Sequence, residues 1–192
     1  MQRLKVDKVY IGRQFEDNDN YNKFAEIVET KKIKVSIIEA GQKIRFSKST
    51  YMNVLWPDKD EKITANSINN NALVFKICYK EKSILFTGDI EEKAERALIK
   101  KYKETEELNA TILKVAHHGS KSSSIEEFLK LVSPEISIIG VGAENTFGHP
   151  SDQVLERIEN LKSKIYRTDL NAEITIRIDK QGKIITEMMN YI

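Results

Sequence analysis

Beyond residue 89 the chain alternates between short apolar runs and longer stretches with helical spacing, and this alternation narrows the folds open to it more than any other feature. Residues 91–102 place Ala94, Ala97, Leu98 and Tyr102 on one face. Residues 124–132 do the same with Ile125, Phe128, Leu129 and Val132, and residues 151–162 with Val154, Leu155, Ile158 and Leu161. The runs between them, 111–115, 136–141 and 165–168, are rich in Ile, Leu and Val and predict strands. Strand–helix–strand repetition builds a layered α/β or α+β domain whose neighbouring parallel strands bring their C-terminal ends to one edge.

Before residue 89 the pattern is richer in strands. Residues 6–11, 35–38, 43–46 and 51–55 read as strands, the middle ones separated by Ala-Gly-Gln and Ser-Lys-Ser turns. Residues 20–32 carry Phe24, Ile27 and Val28 at helical spacing, residues 58–71 are polar and predict a loop, and 72–79 with 83–86 predict a hairpin through Lys80-Glu81-Lys82. Residues 173–178 and 183–188 finish the chain as strands. The expected arrangement puts residues 69–192 in one sheet with flanking helices, while residues 1–68 add strands of a second sheet and one helix. A chain of 192 residues has room for one domain with a core, so 1–192 is read as a single unit.

Composition excludes several functions. The formal net charge of +2 gives no electrostatic support for a long nucleic-acid track. The single cysteine, Cys78, lies in an apolar run with no histidine near it in sequence, which predicts a small core residue in a reducing compartment. The N-terminus does not resemble a leader peptide, and no apolar run reaches the roughly 20 residues of a membrane span. A soluble, cytoplasmic protein is expected. Phosphate-binding glycine loops, nucleophile elbows and paired-cysteine motifs are all missing from the sequence.

The chemistry-bearing residues sit where the strands end. Thr87-Gly88-Asp89 follows one apolar run, His117-His118-Gly119-Ser120 a second, and Gly148-His149-Pro150 comes after a third; these segments hold every histidine of the chain. Asp89 can ligate a metal, accept a proton or cap the following helix. His117 and His118 are candidate metal ligands, although neighbours on an extended strand point to opposite faces and only a twist at the strand end brings both to one site. His149 is a candidate general acid or phosphate contact at a cleft rim, or a loop histidine stacked on Phe147. Asn69-Asn70-Asn71 and Arg167-Thr168-Asp169 read as turns.

These motifs, in order from about residue 69 to 178, resemble the metallo-β-lactamase-fold domain of ComEC-type DNA-uptake proteins and their soluble relatives. The resemblance rests on NNNALVFKI, SILFTGDIEEKAERALI, ATILKVAHHGSKSSS, SPEISIIGVGAENTFGHPSDQVLERI and YRTDLNAEITI. It implies a four-layer αββα sandwich with a metal site at one edge, where two divalent ions such as zinc or manganese activate water on phosphodiester or other ester bonds. Asp89 would be the carboxylate shared between metals, His117 and His118 would supply an imidazole ligand and a partner, and His149 would face the cleft. The family's first metal motif, His-x-[His/Asp]-x-Asp-His, has no counterpart here, because no histidine precedes position 117.

The chain is therefore expected to be the C-terminal part of such a domain, with one weakly bound metal or none. It would be a phosphoester hydrolase that is weak or inactive by itself, or a non-catalytic relative used as a binding or structural module. A nucleic-acid or other phosphoester substrate is possible under the first reading. Apolar surface left uncovered by an incomplete sandwich predicts a homo-oligomer, or cover from a missing N-terminal segment.

Overall fold

The computed structural model describes residues 4–13 and 19–189. The first three residues, on which the reading of the leader partly rests, lie outside them. The central element is a seven-stranded mixed sheet with strand order β3-β4-β5-β6-β7-β8-β9. Its first half is antiparallel: β3 (Lys43–Arg45), β4 (Thr50–Trp56), β5 (Val74–Tyr79) and β6 (Lys82–Phe86) pair in succession. Its second half is parallel, running from β6 through β7 (Ile112–Lys114) and β8 (Ile136–Ile139) to β9 (Lys164–Arg167). Each parallel step needs a crossover, and these are the helices α3 (Glu92–Tyr102), α4 (Glu126–Val132) and α5 (Asp152–Asn160).

Side-chain alternation explains why the parallel strands read as unbroken apolar runs: both faces are covered. Leu85, Leu113, Val115 and Ile139 join the helix-side core with Ala94, Leu98, Phe128, Leu129, Val154 and Ile158. Ile84, Ile112, Ile136, Ile138 and Tyr166 belong to the opposite face, where they meet Ile174, Ile176 and Ile184. Those three belong to the antiparallel pair β10 (Ile174–Ile178) and β11 (Ile184–Met188). At the other end of the same face Met52, Val54, Phe75 and Ile77 pack with Tyr10 and Ile38. Tyr10 and Ile38 come from a parallel pair, β1 (Lys8–Gly12) and β2 (Lys34–Ile38), joined through α1 (Asp19–Thr30). The second β layer thus consists of two separate two-stranded pieces over one large sheet. Cys78 is buried and free.

The division of strands between sheets departs from expectation. β3 and β4 belong to the same large sheet as β5–β9, because β4 pairs antiparallel with β5 from Thr50↔Tyr79 to Trp56↔Val74. β10 and β11 lie outside that sheet. Hydrophobic spacing marks strands but does not name their partners, and here the segment between β4 and β5 returns the chain to the same sheet. Two short helices were also not foreseen: α2 (Ser67–Asn70), inside the expected polar loop, and α6 (Thr168–Asn171), directly after β9. Each has four residues, too few to show a helical period. Among the described residues no helix is long and apolar enough to cross a membrane.

Candidate functional site

The C-terminal ends of parallel β6, β7 and β8 lie side by side, and the candidate residues occupy the loops that follow them. Beyond β7 the chain makes a tight turn, Ala116–Gly119, in which His117 (φ 46°, ψ 42°), His118 (φ 56°, ψ 21°) and Gly119 (φ 82°) are all left-handed. Two successive non-glycine residues in this region cost about 1–2 kcal/mol each, so the surroundings must hold them there. His117 N donates to Gly88 O at 3.1 Å and Ser120 N to His117 O at 2.9 Å. The buried Ser123 hydroxyl lies 3.1 Å from Ala116 O and 3.0 Å from Ser120 O. This turn replaces the alternation of an extended strand, which is how the rings of the adjacent histidines come to lie 6.5 Å apart between centroids.

Gly119 is required for a second reason. A Cβ there would lie 2.6 Å from Pro150 Cβ and 3.1 Å from Pro150 Cα, and Ser151 N donates to Gly119 O at 2.9 Å. The close approach docks the His149 loop onto the His117–His118 turn. The rings of His117 and His149 are consequently 5.8 Å apart between centroids. His149 also stacks on Phe147 at 6.0 Å. Burial, and then the neighbouring His117 and His118, lower the His149 pKa from its ordinary value.

Asp89 and His118 form one pair, with Asp89 Oδ1 3.7 Å from His118 Nε2. His118 Nδ1 is 2.5 Å from Gly140 O, a carbonyl that can only accept, so this nitrogen carries a proton and the ring is turned with Nε2 toward Asp89. Lys114 Nζ stands 3.9 Å from Asp89 Oδ1 and donates to Gly88 O at 3.2 Å; burial lowers its pKa, opposed by the Asp89 charge. Asp89 does not cap α3. That cap comes from Asn70, whose Oδ1 accepts from Glu91 N at 3.1 Å and from Ala94 N at 3.3 Å. A second pair is made by His117 Nδ1 and Glu91 Oε1, 3.5 Å apart.

Several residues of the site were not singled out by their sequence signals. Asn70 and Asn71 are buried latches, not a simple turn: Asn71 bonds both the N–H and the C=O of Ile63, and Asn70 the carbonyl of Ala65. The triplet of asparagines was the visible clue. Glu95 is fully buried on α3 and accepts from Ser124 N at 2.6 Å and Ile125 N at 2.9 Å, fixing the start of the helix that follows the histidine turn. Glu91, Glu95 and Lys114 look in sequence like ordinary charges of an exposed helix or strand end. Arg167 and Asp169 pair with each other at 2.6 Å and support the end of β9.

Residues 68–142 match the model of the Metallo-beta-lactamase superfamily. ComE operon protein 3 of Bacillus subtilis (strain 168) is 28% identical over 173 residues, 90% of this chain and 21% of that protein. These similarities support a ComEC-like domain of metallo-β-lactamase fold. Competence protein ComA of Neisseria gonorrhoeae is 32% identical over 114 residues, which are 59% of this chain and 16% of that protein. Recombination protein 2 of Haemophilus influenzae is 29% identical over 114 residues, 59% of this chain and 14% of that protein. The chain therefore spans about a fifth or less of the length of these relatives.

The superfamily that residues 68–142 match generally binds divalent metals, and the donors present here can be weighed against that. Asp89 and His118 have the right chemistry: a carboxylate faces an imidazole nitrogen whose ring is fixed from behind by a backbone carbonyl. Their number is too small. Among the described residues no group of three or more His, Cys, Asp or Glu side chains could hold a metal ion, whereas a catalytic zinc takes three protein ligands. As described, the donor set does not make a metal site by itself.

Proposed function

We propose that this domain is one wall of a phosphoester-hydrolase cleft of metallo-β-lactamase type, weak or inactive until further metal-binding donors meet Asp89 and His118. The observation that carries this reading is the 3.7 Å pair of Asp89 and His118, with the His118 ring held by Gly140 O. In this reading the two residues contribute two ligands, His149 serves as the acid or base group at the rim, and His117 is the partner imidazole. The substrate is a phosphodiester or another phosphoester, nucleic acid included. The competence-protein relatives favour this class, and the chain's net charge of +2 fits a small ester better than a long duplex track.

A second reading has one observation in its favour. The Lys114 ammonium already stands 3.9 Å from Asp89 and supplies a positive charge without a metal. A non-catalytic domain of this fold, used for binding or assembly, would retain such a pair.

Titration calorimetry with Zn²⁺ or Mn²⁺, beside a bis(p-nitrophenyl) phosphate assay on the same sample, separates the two. The hydrolase reading expects weak binding that is lost in both Asp89→Asn and His118→Ala and retained in His149→Ala, with turnover low or absent. Binding that survives both of the first two substitutions would sink it, and turnover equal in wild type and Asp89→Asn would trace to a contaminant.

A further inference from the structure

The carboxylate of Glu91 is held in place before His117 is considered. Its Oε2 accepts from Asn70 Nδ2 at 3.3 Å, its Oε1 accepts from the Ser122 hydroxyl at 3.1 Å, and its backbone N–H donates to Asn70 Oδ1. His117 Nδ1 faces that fixed group. The nitrogen is shut off from solvent and has no aligned hydrogen-bond partner, and Glu91 Oε1 lies 3.5 Å away. A carboxylate can only accept. If Nδ1 carried the lone pair, two lone pairs would confront each other where water cannot intervene, at the cost of an unsatisfied buried acceptor. With the proton on Nδ1 the contact becomes attractive.

We infer that Glu91 is a positioning residue that sets the tautomer of His117. The proton sits on Nδ1 toward Glu91, and the Nε2 lone pair is left for the cleft, where the ring of His149 is 5.8 Å away. The proton on His118 Nδ1 is held by a different device, the carbonyl of Gly140. Both members of the histidine pair thus have Nδ1 turned to an acceptor, one a neutral carbonyl and one a charged carboxylate. This assignment deepens the hydrolase reading by giving its partner imidazole a defined lone pair. Its test uses neither metal nor substrate, so it stands or falls separately.

The experiment is a long-range ¹H–¹⁵N imidazole correlation spectrum of uniformly ¹⁵N-labelled protein with chelator present. It is recorded near pH ~8.5, about two units above the ordinary imidazole range. Only three rings contribute, and single His→Asn variants assign them. The wild type is expected to show His117 predominantly as the Nδ1–H form. Glu91→Gln replaces an acceptor with a group that can donate, and Glu91→Ala removes it. Each should move His117 to predominantly Nε2–H while His118 keeps its pattern. A wild-type His117 in the Nε2–H form overturns the inference, as does an Nδ1–H form unchanged in both variants. Should neither variant fold, the wild-type tautomer decides alone.

Discussion

Replacing Gly119 with alanine tests whether the two histidine loops are locked together as described. The new methyl carbon would sit 2.6 Å from Pro150 Cβ and 3.1 Å from Pro150 Cα, so relief requires backbone movement and not a rotamer change. At φ 82° the residue also loses glycine's freedom, worth roughly 1–2 kcal/mol. Overpacking against a fixed neighbour adds about 1–3 kcal/mol. The sum, near 3 kcal/mol, corresponds to a fall in Tm of roughly 6–12 °C for a chain of this length. Urea denaturation followed by circular dichroism, with an unchanged slope, measures the loss. Gly142→Ala is the control, because nothing lies within 4 Å of its added carbon, and it should stay within about 0.5 kcal/mol of wild type. The movement should also part the His117 and His149 rings, seen as a chemical-shift change at His149. A Gly119→Ala protein as stable as the control would mean that the loops do not meet as described.

Three further outcomes follow from single residues. Burial raises the Glu95 pKa from an ordinary 4.5 to about 7, although the backbone N–H groups of Ile125 and Ser124 pull it down. The folded state therefore holds a proton that the unfolded state has released between pH 4.5 and 7. Stability should fall as pH rises through that window, by up to about 3 kcal/mol at ~1.4 kcal/mol per unit, and be flat in Glu95→Gln; urea midpoints that rise from pH 5 to 8, or that keep the same slope in the variant, contradict this. Ala172 is held at φ 52°, ψ −123°, a conformation suited to glycine. Ala172→Gly should stabilise the fold by about 1 kcal/mol, the relieved strain less the added freedom of the unfolded chain, and a thermal midpoint that drops refutes the strain. Val35 and Ile37 on β2 are 37% and 46% exposed, so wild type is expected to self-associate at low micromolar concentration and Val35→Lys/Ile37→Lys to sediment as a 22.1 kDa species; a monodisperse 22.1 kDa wild type defeats the expectation.

The helices were legible because they are amphipathic over several turns. Each of α3, α4 and α5 lies within the span that its apolar spacing marks. The positions of Asp89, His117 and His118 just past strand ends were legible for a related reason, since apolar runs stop where the loops begin; His149 lies further on, in the loop that leads from β8 to α5. Pairing was not legible. Nothing local distinguishes β4, which joins the large sheet, from β2, which does not, because the deciding contact is the β4–β5 ladder. The supporting shell was equally hidden. Glu91 and Glu95 stand in a run of charged residues with Glu92, Lys93 and Arg96, and helical phase alone turns Glu95 into the core while Glu92 stays in solvent. Lys114 and Asn70 acquire their meaning from groups 26 and 24 residues away.

The two walls of the cleft differ in how their amides should exchange with solvent. On one wall the N–H groups of His117, Ser120 and Ser123 are each bonded within the left-handed turn or to Gly88, and the following amides of Ser124 and Ile125 end on buried Glu95. Deuterium should reach them only when α3 and α4 come apart, at rates near those of global unfolding. On the other wall Gly142, Ala143, Glu144, Thr146, Phe147 and Gly148 are exposed, and the segment is tied mainly by Asn145 to its own neighbours Gly142 and His149. Those amides should exchange through small local openings. The paired histidines then sit on a slowly exchanging wall, and fast exchange on the other wall should stop at residue 148, because Pro150 and Ser151 are docked on Gly119.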